Sequence, residues 1–357
     1  MAARAIGLSD PNPRVGCVLV GPQGQRAVGH TQPAGQAHAE VMALHDASAQ
    51  GWNPRGSTAY VTLEPCSHHG RTPPCCDALV QAGVARVVVA IGDPNPLVGG
   101  QGIARLRAAG IEVRTGLLAD DAGELNIGFL SRMQRGLPWV RLKVAASLDG
   151  RTALPDGRSQ WITGVAARTD GHAWRRRAGA VLTGVGTVRE DDPRLDVRLV
   201  ATERQPLRVV IDSRLETPAS ARLLDPPGKV LLYAAAPDPA RVHALRAAGA
   251  EIALQPGAHG KVDLAAAMRD LAARGINELH VEAGHRLNGS LLREGLVDEL
   301  LLYLAPKLIG EGRELASFGP IAGLDEALAW RFTSVDRVGD DLRILARRAG
   351  SDATRGL

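Results

Sequence analysis

The amino-acid sequence predicts an α/β protein of two domains, and three observations carry that prediction. Its 357 residues exceed what one hydrophobic core usually organises, and at roughly 150 residues per domain they make about two. Short apolar runs of strand character alternate with segments of helical period, in two separate series. Between the series stand Arg135, Gly136, Leu137 and Pro138, where glycine and proline punctuate the chain, so the domains are placed at 1–136 and 137–357.

In the first series, 15–20 (VGCVLV), 58–63 (TAYVTL) and 86–91 (RVVVAI) read as buried strands. Helical patterns fall at 39–49, 75–82 and 103–109; Gly110 stops the last, and a short strand at 111–114 follows. A helical stretch over 120–134 closes the domain. Such alternation predicts a mostly parallel sheet covered by helices. In the second series, strands are predicted at 139–145, 180–183, 207–212, 229–233, 278–282, 300–304 and 342–346, with helices at 166–177, 239–248 and 264–274. No period of about 20–50 residues recurs, which excludes a repeat protein.

Apolar residues make up 45% and charged residues 22%, a globular balance that excludes wholesale disorder. No apolar run reaches the ~18 residues of a membrane span. The opening residues MAARAIGLSD hold no secretory apolar core, so the reading is a cytoplasmic protein without a membrane partner. Lysine and arginine number 42 against 38 aspartates and glutamates; the net +4 suits anionic small molecules and is too evenly spread for a nucleic-acid surface. Aromatic residues at 3% argue against base-stacking platforms.

The four cysteines are Cys17, Cys66, Cys75 and Cys76, all in the first quarter of the chain. In a cytosolic chain a cluster such as 66–76 reads as metal or redox chemistry before disulfides. Catalytic zinc takes three protein ligands, nitrogen and thiolate preferred, and keeps one position open. His38, Cys66 and Cys75 supply such a set. Pro73 and Pro74 fit the first positions of a helix and would place Cys75 at its N-terminus, where the dipole favours thiolate. Glu40 lies two positions after His38, about 200° round an ideal helix, so the two converge only at the helix mouth. There Glu40 would stand beside the metal without binding it. Zinc activates water near neutral pH, and such a carboxylate can carry the proton to a leaving amine.

A His-x-Glu followed by Pro-Cys is the mark of zinc nucleobase deaminases, which usually continue Cys-x-x-Cys. Here eight residues separate Cys66 from Cys75, and the wider loop carries His68 and Arg71, suited to an anionic or hydrogen-bonding substrate. Two alternatives stay open: a structural zinc site or buried thiols, and Cys76 in place of Cys75 as ligand. Cys17, inside an apolar run, reads as a small core residue.

At these residues the chain resembles the bacterial bifunctional riboflavin-biosynthesis deaminase–reductase family. The matching strings are PNPRVGC from Pro11, HAEV from His38, the stretch 62–77, and DPNP from Asp93. They continue with KVAASLDGRT from Lys143, SQWIT from Ser159, GVGT from Gly184, DDP from Asp191, VEAG from Val281 and APKLIG from Ala305. The resemblance spans nearly the whole chain. It implies a cytidine-deaminase-like three-layer domain followed by a dihydrofolate-reductase-like α/β domain. The first would hydrolyse the 2-amino group of 2,5-diamino-6-(5-phosphoribosylamino)pyrimidin-4-one with one zinc ion per chain. The second would use NADPH to reduce the ribosyl group to a ribityl chain. A homo-oligomer is implied as well.

Carried over position by position, the resemblance makes His38, Cys66 and Cys75 zinc ligands and Glu40 the proton carrier. It places Asn12, His68 and Arg71 in the deaminase pocket. Lys143, Ser159, Arg175, Leu195, Arg198 and Glu282 become substrate-side in the reductase. Ala145, Trp161, Thr187, Asp191, Ser213 and a loop of Gly284, His285, Arg286, Leu287, Asn288, Gly289 and Ser290 become cofactor-side. Lys143 and Asp191 are the candidates for its polar chemistry. From the residues alone these assignments are weaker. Gly184 and Gly186 could admit a diphosphate or mark a tight strand exit; Glu282 fits a site at a strand's carboxyl end or a solvated strand end. Arg175, Arg176 and Arg177 could be a charged helix terminus, and Trp161 a cofactor cover or a core residue. Two departures from the family pattern stand out: only eleven residues precede Asn12, and Thr31 occupies the place of a usual histidine, with His30 beside it. The competing functions are a zinc deaminase of another nucleobase fused to an unrelated domain, and a non-enzymatic zinc-stabilised binding protein.

Overall fold

A computed structural model describes residues 1–70, 73–95 and 98–349. The chain divides into two compact units at Gly136/Leu137.

In the first unit, β1 (Gly16–Val20) returns antiparallel as β2 (Arg26–His30) through a turn in which the Gly21 N–H donates to the Gln25 carbonyl. Helix α1 (Ala39–Ala49) leads to β3 (Thr58–Leu63), which also lies antiparallel to β1. From there α2 (Cys75–Gln81), β4 (Arg86–Ile91), α3 (Gln101–Ala108) and β5 (Glu112–Thr115) form crossover units, and β3, β4 and β5 are parallel. The sheet order is β2-β1-β3-β4-β5. The sheet is therefore mixed rather than mostly parallel, because β1 and β2 are joined by a hairpin and not a helix. Strand β2 (RAVGH) has only Ala27 and Val28 between an arginine and a glycine, so it carries no apolar run to read.

Two features of this unit aim its chemistry. Ala39, Ala43 and Ala47 form one fully buried face of α1. The helix then lies so close to β2 that a Cβ on Gly29 would collide with the Ala39 carbonyl. The stretch 120–134 is two helices, α4 (Ala119–Leu125) and α5 (Ile127–Arg135), broken at Asn126. Buried Asn126 accepts from the Arg14 N–H at 2.7 Å and donates to the Arg14 carbonyl at 3.0 Å, pairing with the segment ahead of β1 as a strand would.

The second unit runs β6 (Trp139–Ser147), β7 (Arg151–Ala153), α6 (Val165–Arg177), β8 (Ala180–Gly184), α7 (Val185–Asp191), β9 (Leu207–Ile211), β10 (Val230–Ala234), α8 (Pro239–Ala247) and β11 (Glu251–Leu254). It continues with α9 (Leu264–Ala273), β12 (Glu278–Val281), α10 (His285–Arg293), β13 (Glu299–Ala305), β14 (Arg313–Glu314), β15 (Trp330–Val338) and β16 (Asp341–Arg348). Nine strands make one sheet in the order β11-β10-β9-β8-β12-β6-β13-β16-β15, parallel from β11 to β13 and antiparallel beyond. Its apolar core is built from Val140, Leu142, Leu182, Val209, Leu231, Leu279 and Val281, with Met268 and Leu271 of α9. At the start of the central strands Arg141 is buried between Glu278 and Glu299, at 2.9 and 2.5 Å, and Arg177 and Arg347 complete the cluster. Such a cluster costs more when one partner is removed than it contributes intact.

Candidate functional site

The zinc-like residues meet where two helices begin. His38 is the N-cap of α1, in extended conformation, and Glu40 lies in the first turn. Cys75 opens α2 behind Pro74, and Cys66 sits in the loop after β3. The ligand atoms of His38, Cys66 and Cys75 all lie within 4.8 Å of one another. His38 Nδ1 is 3.5 Å from Cys66 Sγ and 3.4 Å from Cys75 Sγ. Tetrahedral zinc, with Zn–S about 2.3 Å and Zn–N about 2.0–2.1 Å, needs nitrogen-to-sulfur edges of about 3.6 Å, so the set fits that ion. Cys76 points elsewhere: its buried thiol donates to the Pro65 carbonyl at 3.2 Å. The choice between Cys75 and Cys76 thus falls to Cys75.

The hydrogen bond from Cys75 draws Cys66 down to about 4, and the same bond pushes Cys75 upward. The pair holds a thiolate ready for a cation, and the Cys75 N–H at the helix start donates to Cys66 Sγ at 3.3 Å. Burial pushes the fully enclosed Glu40 carboxyl up to about 7. Glu64 anchors the loop from behind: its carboxylate accepts from the N–H groups of Asp93, Gly100 and Ile103 at 3.0–3.1 Å. That role escaped the sequence reading, since a lone glutamate ahead of Pro-Cys carries no periodic signal.

A cleft of about 410 Å³ opens over this set, lined by Pro11, Asn12, Ala34, Gly35, Gln36, His38, Cys66, His68 and Gly70. Asn12 and His68 therefore share one opening with the zinc set. Arg71 lies outside the described residues. Thr31 is buried and turned away; its hydroxyl accepts from the Val15 N–H at 3.1 Å, and His30 at the end of β2 is not among the cleft residues.

In the second unit a cleft of about 480 Å³ lies at the carboxyl ends of the parallel strands. It brings together Lys143, Ala145, Ser159, Trp161, Arg175, Thr187, Asp191, Leu195, Arg198, Glu282, Gly284, His285 and Asn288. Glu282 is its electrostatic centre. Arg175 grips both carboxylate oxygens at 2.5 and 2.9 Å, and Lys143 Nζ stands 3.7 Å away. Burial alone would raise Glu282, but Arg175 and then Lys143 hold it well below the usual carboxylate range. This is a paired site, not a solvated strand end. The three arginines that close α6 are likewise engaged: Arg175 with Glu282, Arg177 with Glu278, and Arg176 with the Ala201 carbonyl. Trp161 is 61% exposed with Arg168 4.6 Å over its ring, which excludes core packing.

Five cofactor-side residues do not line this cleft: Ser213, Arg286, Leu287, Gly289 and Ser290. The stretch expected as a loop is helix α10, so only the face carrying His285 and Asn288 meets the cleft. Leu287 packs on the core, and buried Gly289 lies against the Ser317 backbone. The Ser213 hydroxyl accepts from the Val262 N–H at 3.2 Å. Gly184 is needed for packing, since a Cβ there would press on Leu287 at 3.1 Å. Arg168, Arg194, Arg222 and Arg313 also line the cleft and were missed, being single arginines outside any motif.

A mixed sheet with a Cys₂His set at its helix mouths fits a zinc-binding deaminase, and the second unit carries a cationic strand-end cleft suited to phosphorylated ligands. Residues 1–91 match the family described as the cytidine and deoxycytidylate deaminase zinc-binding region, and residues 138–344 match the RibD C-terminal domain. The chain is 45% identical to the riboflavin biosynthesis protein RibD of Escherichia coli K12, over 96% of this chain and 95% of the relative. Acinetobacter baumannii RibD superposes with a TM-score of 0.87 at 41% identity, covering 97% of this chain and 95% of that one. A Thermotoga maritima diaminohydroxyphosphoribosylaminopyrimidine deaminase/5-amino-6-(5-phosphoribosylamino)uracil reductase superposes at 0.86 and 31% identity, with the same coverage. The chain belongs to the RibD family of riboflavin-biosynthesis enzymes, with a zinc-binding deaminase domain and an NADPH-using reductase domain. Matches over both units leave no support for an unrelated second domain or a non-enzymatic role. Among the described residues no helix is long and apolar enough to cross a membrane.

Proposed function

We propose that the chain performs two consecutive steps. The first unit hydrolyses the 2-amino group of 2,5-diamino-6-(5-phosphoribosylamino)pyrimidin-4-one, consuming water and releasing ammonia. The second reduces the ribosyl group of that product to an open ribityl chain, giving 5-amino-6-(5-phosphoribitylamino)uracil. The observation that carries the reading is the convergence of His38, Cys66 and Cys75 with the buried carboxyl of Glu40, two residues from His38 at the mouth of α1. A carboxyl held beside the metal set can both take a proton and return it.

His38, Cys66 and Cys75 would hold zinc, which supplies a water activated near neutral pH. Glu40 takes the proton from the attacking water and delivers it to the departing amine. Asn12 and His68 hold the pyrimidine from the cleft wall, and Arg71 is assigned to the same pocket. In the second unit Arg175 and Lys143 fix Glu282, leaving a net positive floor on which the substrate lies with Ser159 and Leu195. Arg198 faces its phosphate. Ala145, Trp161, Thr187, Asp191 and the start of α10 at Gly284 would hold NADPH, which would supply the hydride; a helix N-terminus favours phosphate. Lys143 is the proton donor at hand for the opening ring oxygen, with Asp191 the second candidate. We also assign the chain to the cytoplasm and to a homo-oligomer; exposed Phe332 and Val335 on edge strand β15 support self-association.

The test supplies the diaminopyrimidine ribotide to zinc-loaded protein and follows ammonia release and NADPH oxidation separately. Both should appear in that order. NADPH oxidation without prior ammonia release would overturn the order, and absence of ammonia release the substrate.

A further inference from the structure

Helix α6 carries Arg168, His172 and Arg175 at i, i+4 and i+7, which is one face. Arg168 and Arg175 line the reductase cleft; His172, buried between them, does not. Its Nδ1 instead accepts from the backbone N–H of Arg198 at 3.2 Å. One turn along, Arg175 donates to the Asp196 carbonyl at 2.9 Å. The short segment that supplies Arg194, Leu195 and Arg198 to the cleft is thus fixed to α6 at two backbone points. Gln205 holds it from the other side, accepting from the Val197 N–H at 2.7 Å and donating to its carbonyl at 2.9 Å. Inside the segment, the Asp196 carboxylate gathers Arg194 at 3.0 Å and Arg198 at 2.6 Å. Leu195 adopts a φ of +53°, a left-handed conformation that a branched side chain keeps only when its surroundings impose it.

We propose that His172 is a positioning residue of the reductase: by accepting the Arg198 N–H it sets the segment so that Arg194 and Arg198 meet the anionic part of the substrate. The inference rests on the reading of Arg198 as phosphate-facing. An acceptor at Nδ1 requires a proton on Nε2 and none on Nδ1, so the ring works as the neutral tautomer. Burial, with Arg175 and Arg198 close by, keeps it so. A phenyl or alkyl group of the same size would fill the space without holding the N–H.

The test compares H172A, H172N and R198Q in the full-length zinc-loaded enzyme, with the thermal unfolding of the reductase unit as the check on folding. Asparagine places its Oδ1 close to the position of Nδ1. H172A should raise KM for the phosphorylated uracil substrate about tenfold, the scale of one lost hydrogen bond. Its kcat and its KM for NADPH should stay within about twofold, and H172N should return the substrate KM close to the native value. Unchanged KM in H172A, or equal damage in H172A and H172N, overturns the inference. If R198Q raises KM while H172A is silent, the phosphate reading stands and the positioning role falls. If R198Q leaves KM unchanged, both fall. Should H172A not fold, H172Q replaces it: a raised KM in H172Q beside a native one in H172N supports the role, and equal values overturn it.

Discussion

Between His38 and Cys75 the first unit assembles its zinc set and its proton carrier from two helix starts and one loop, whereas the second unit draws its cleft from residues as far apart as Lys143 and Arg313. In the first, each group does something no neighbour can replace. In the second, Glu282 alone has three partners, Arg175, Lys143 and His280, and the cationic lining is shared among several arginines. A concentrated site should fail at single substitutions; a distributed one should lose function by degrees.

The sharpest break of that comparison is C75A. It should abolish deamination and bring zinc from about one per chain to none by elemental analysis, with NADPH oxidation on the deaminated substrate retained; an active metal-free variant would sink the zinc assignment. E40Q should follow, lowering ammonia release about 10²- to 10⁴-fold, the range of general acid–base catalysis, while zinc stays bound. Undiminished release would remove Glu40 from its role.

In the second unit R175M leaves the Glu282 carboxylate with Lys143 and His280 as its remaining partners, and thermal unfolding of the variant should show a loss of about 3 kcal/mol. No shift in melting would mean that the ion pair is replaceable. W161A should raise KM for NADPH about tenfold and spare deamination, in line with the loss of a ring that holds its place by a cation contact. Equal loss of both activities would count against a cofactor-side role.

The smallest effect concerns pH. Burial first, then Arg175 and Arg198, lower His172 from 6.5 to about 4, against weaker opposing pulls from Glu282 and Asp196. The folded chain then binds fewer protons at His172 than the unfolded chain between about pH 4 and 6.5, so this residue makes stability fall as pH drops through that window. H172N lacks the titration, and its melting temperature should decline less steeply between pH 6.5 and 4.5. Parallel declines would show that the ring titrates normally.

The same contrast governs how much could be read from the sequence. The zinc set was legible because its members are close in the chain and flanked by prolines that announce a helix start. Strands with apolar runs were equally clear, whereas β2 and β15 are not: one is short and interrupted by glycine, and the other alternates along an exposed edge. The single long helix expected over 120–134 failed at Asn126, whose role depends on a partner, Arg14, over a hundred residues away. Arg194, Arg222 and Arg313 were invisible for a related reason. A lone arginine reads the same in the sequence whether it faces solvent or a cleft, and only the folded unit distinguishes them. The contiguous run 284–290 was expected to act as one loop, but the helix distributes those residues between cleft and core.

Asn126 has a practical consequence for dividing this chain. Its amide and the Arg132 guanidinium, which donates to the Pro11 carbonyl at 3.1 Å, act as a clasp on the strand-like lead that presents Asn12. Asn126, between α4 and α5, and Arg132, on α5, lie beyond residues 1–91, the part that matches the zinc-binding region. A fragment ended after β5 would keep every zinc ligand and lose the clasp. Metal retention would then say nothing about whether the mouth of the cleft had kept its shape, and catalytic assays on such a fragment would measure an opening that the complete unit does not have.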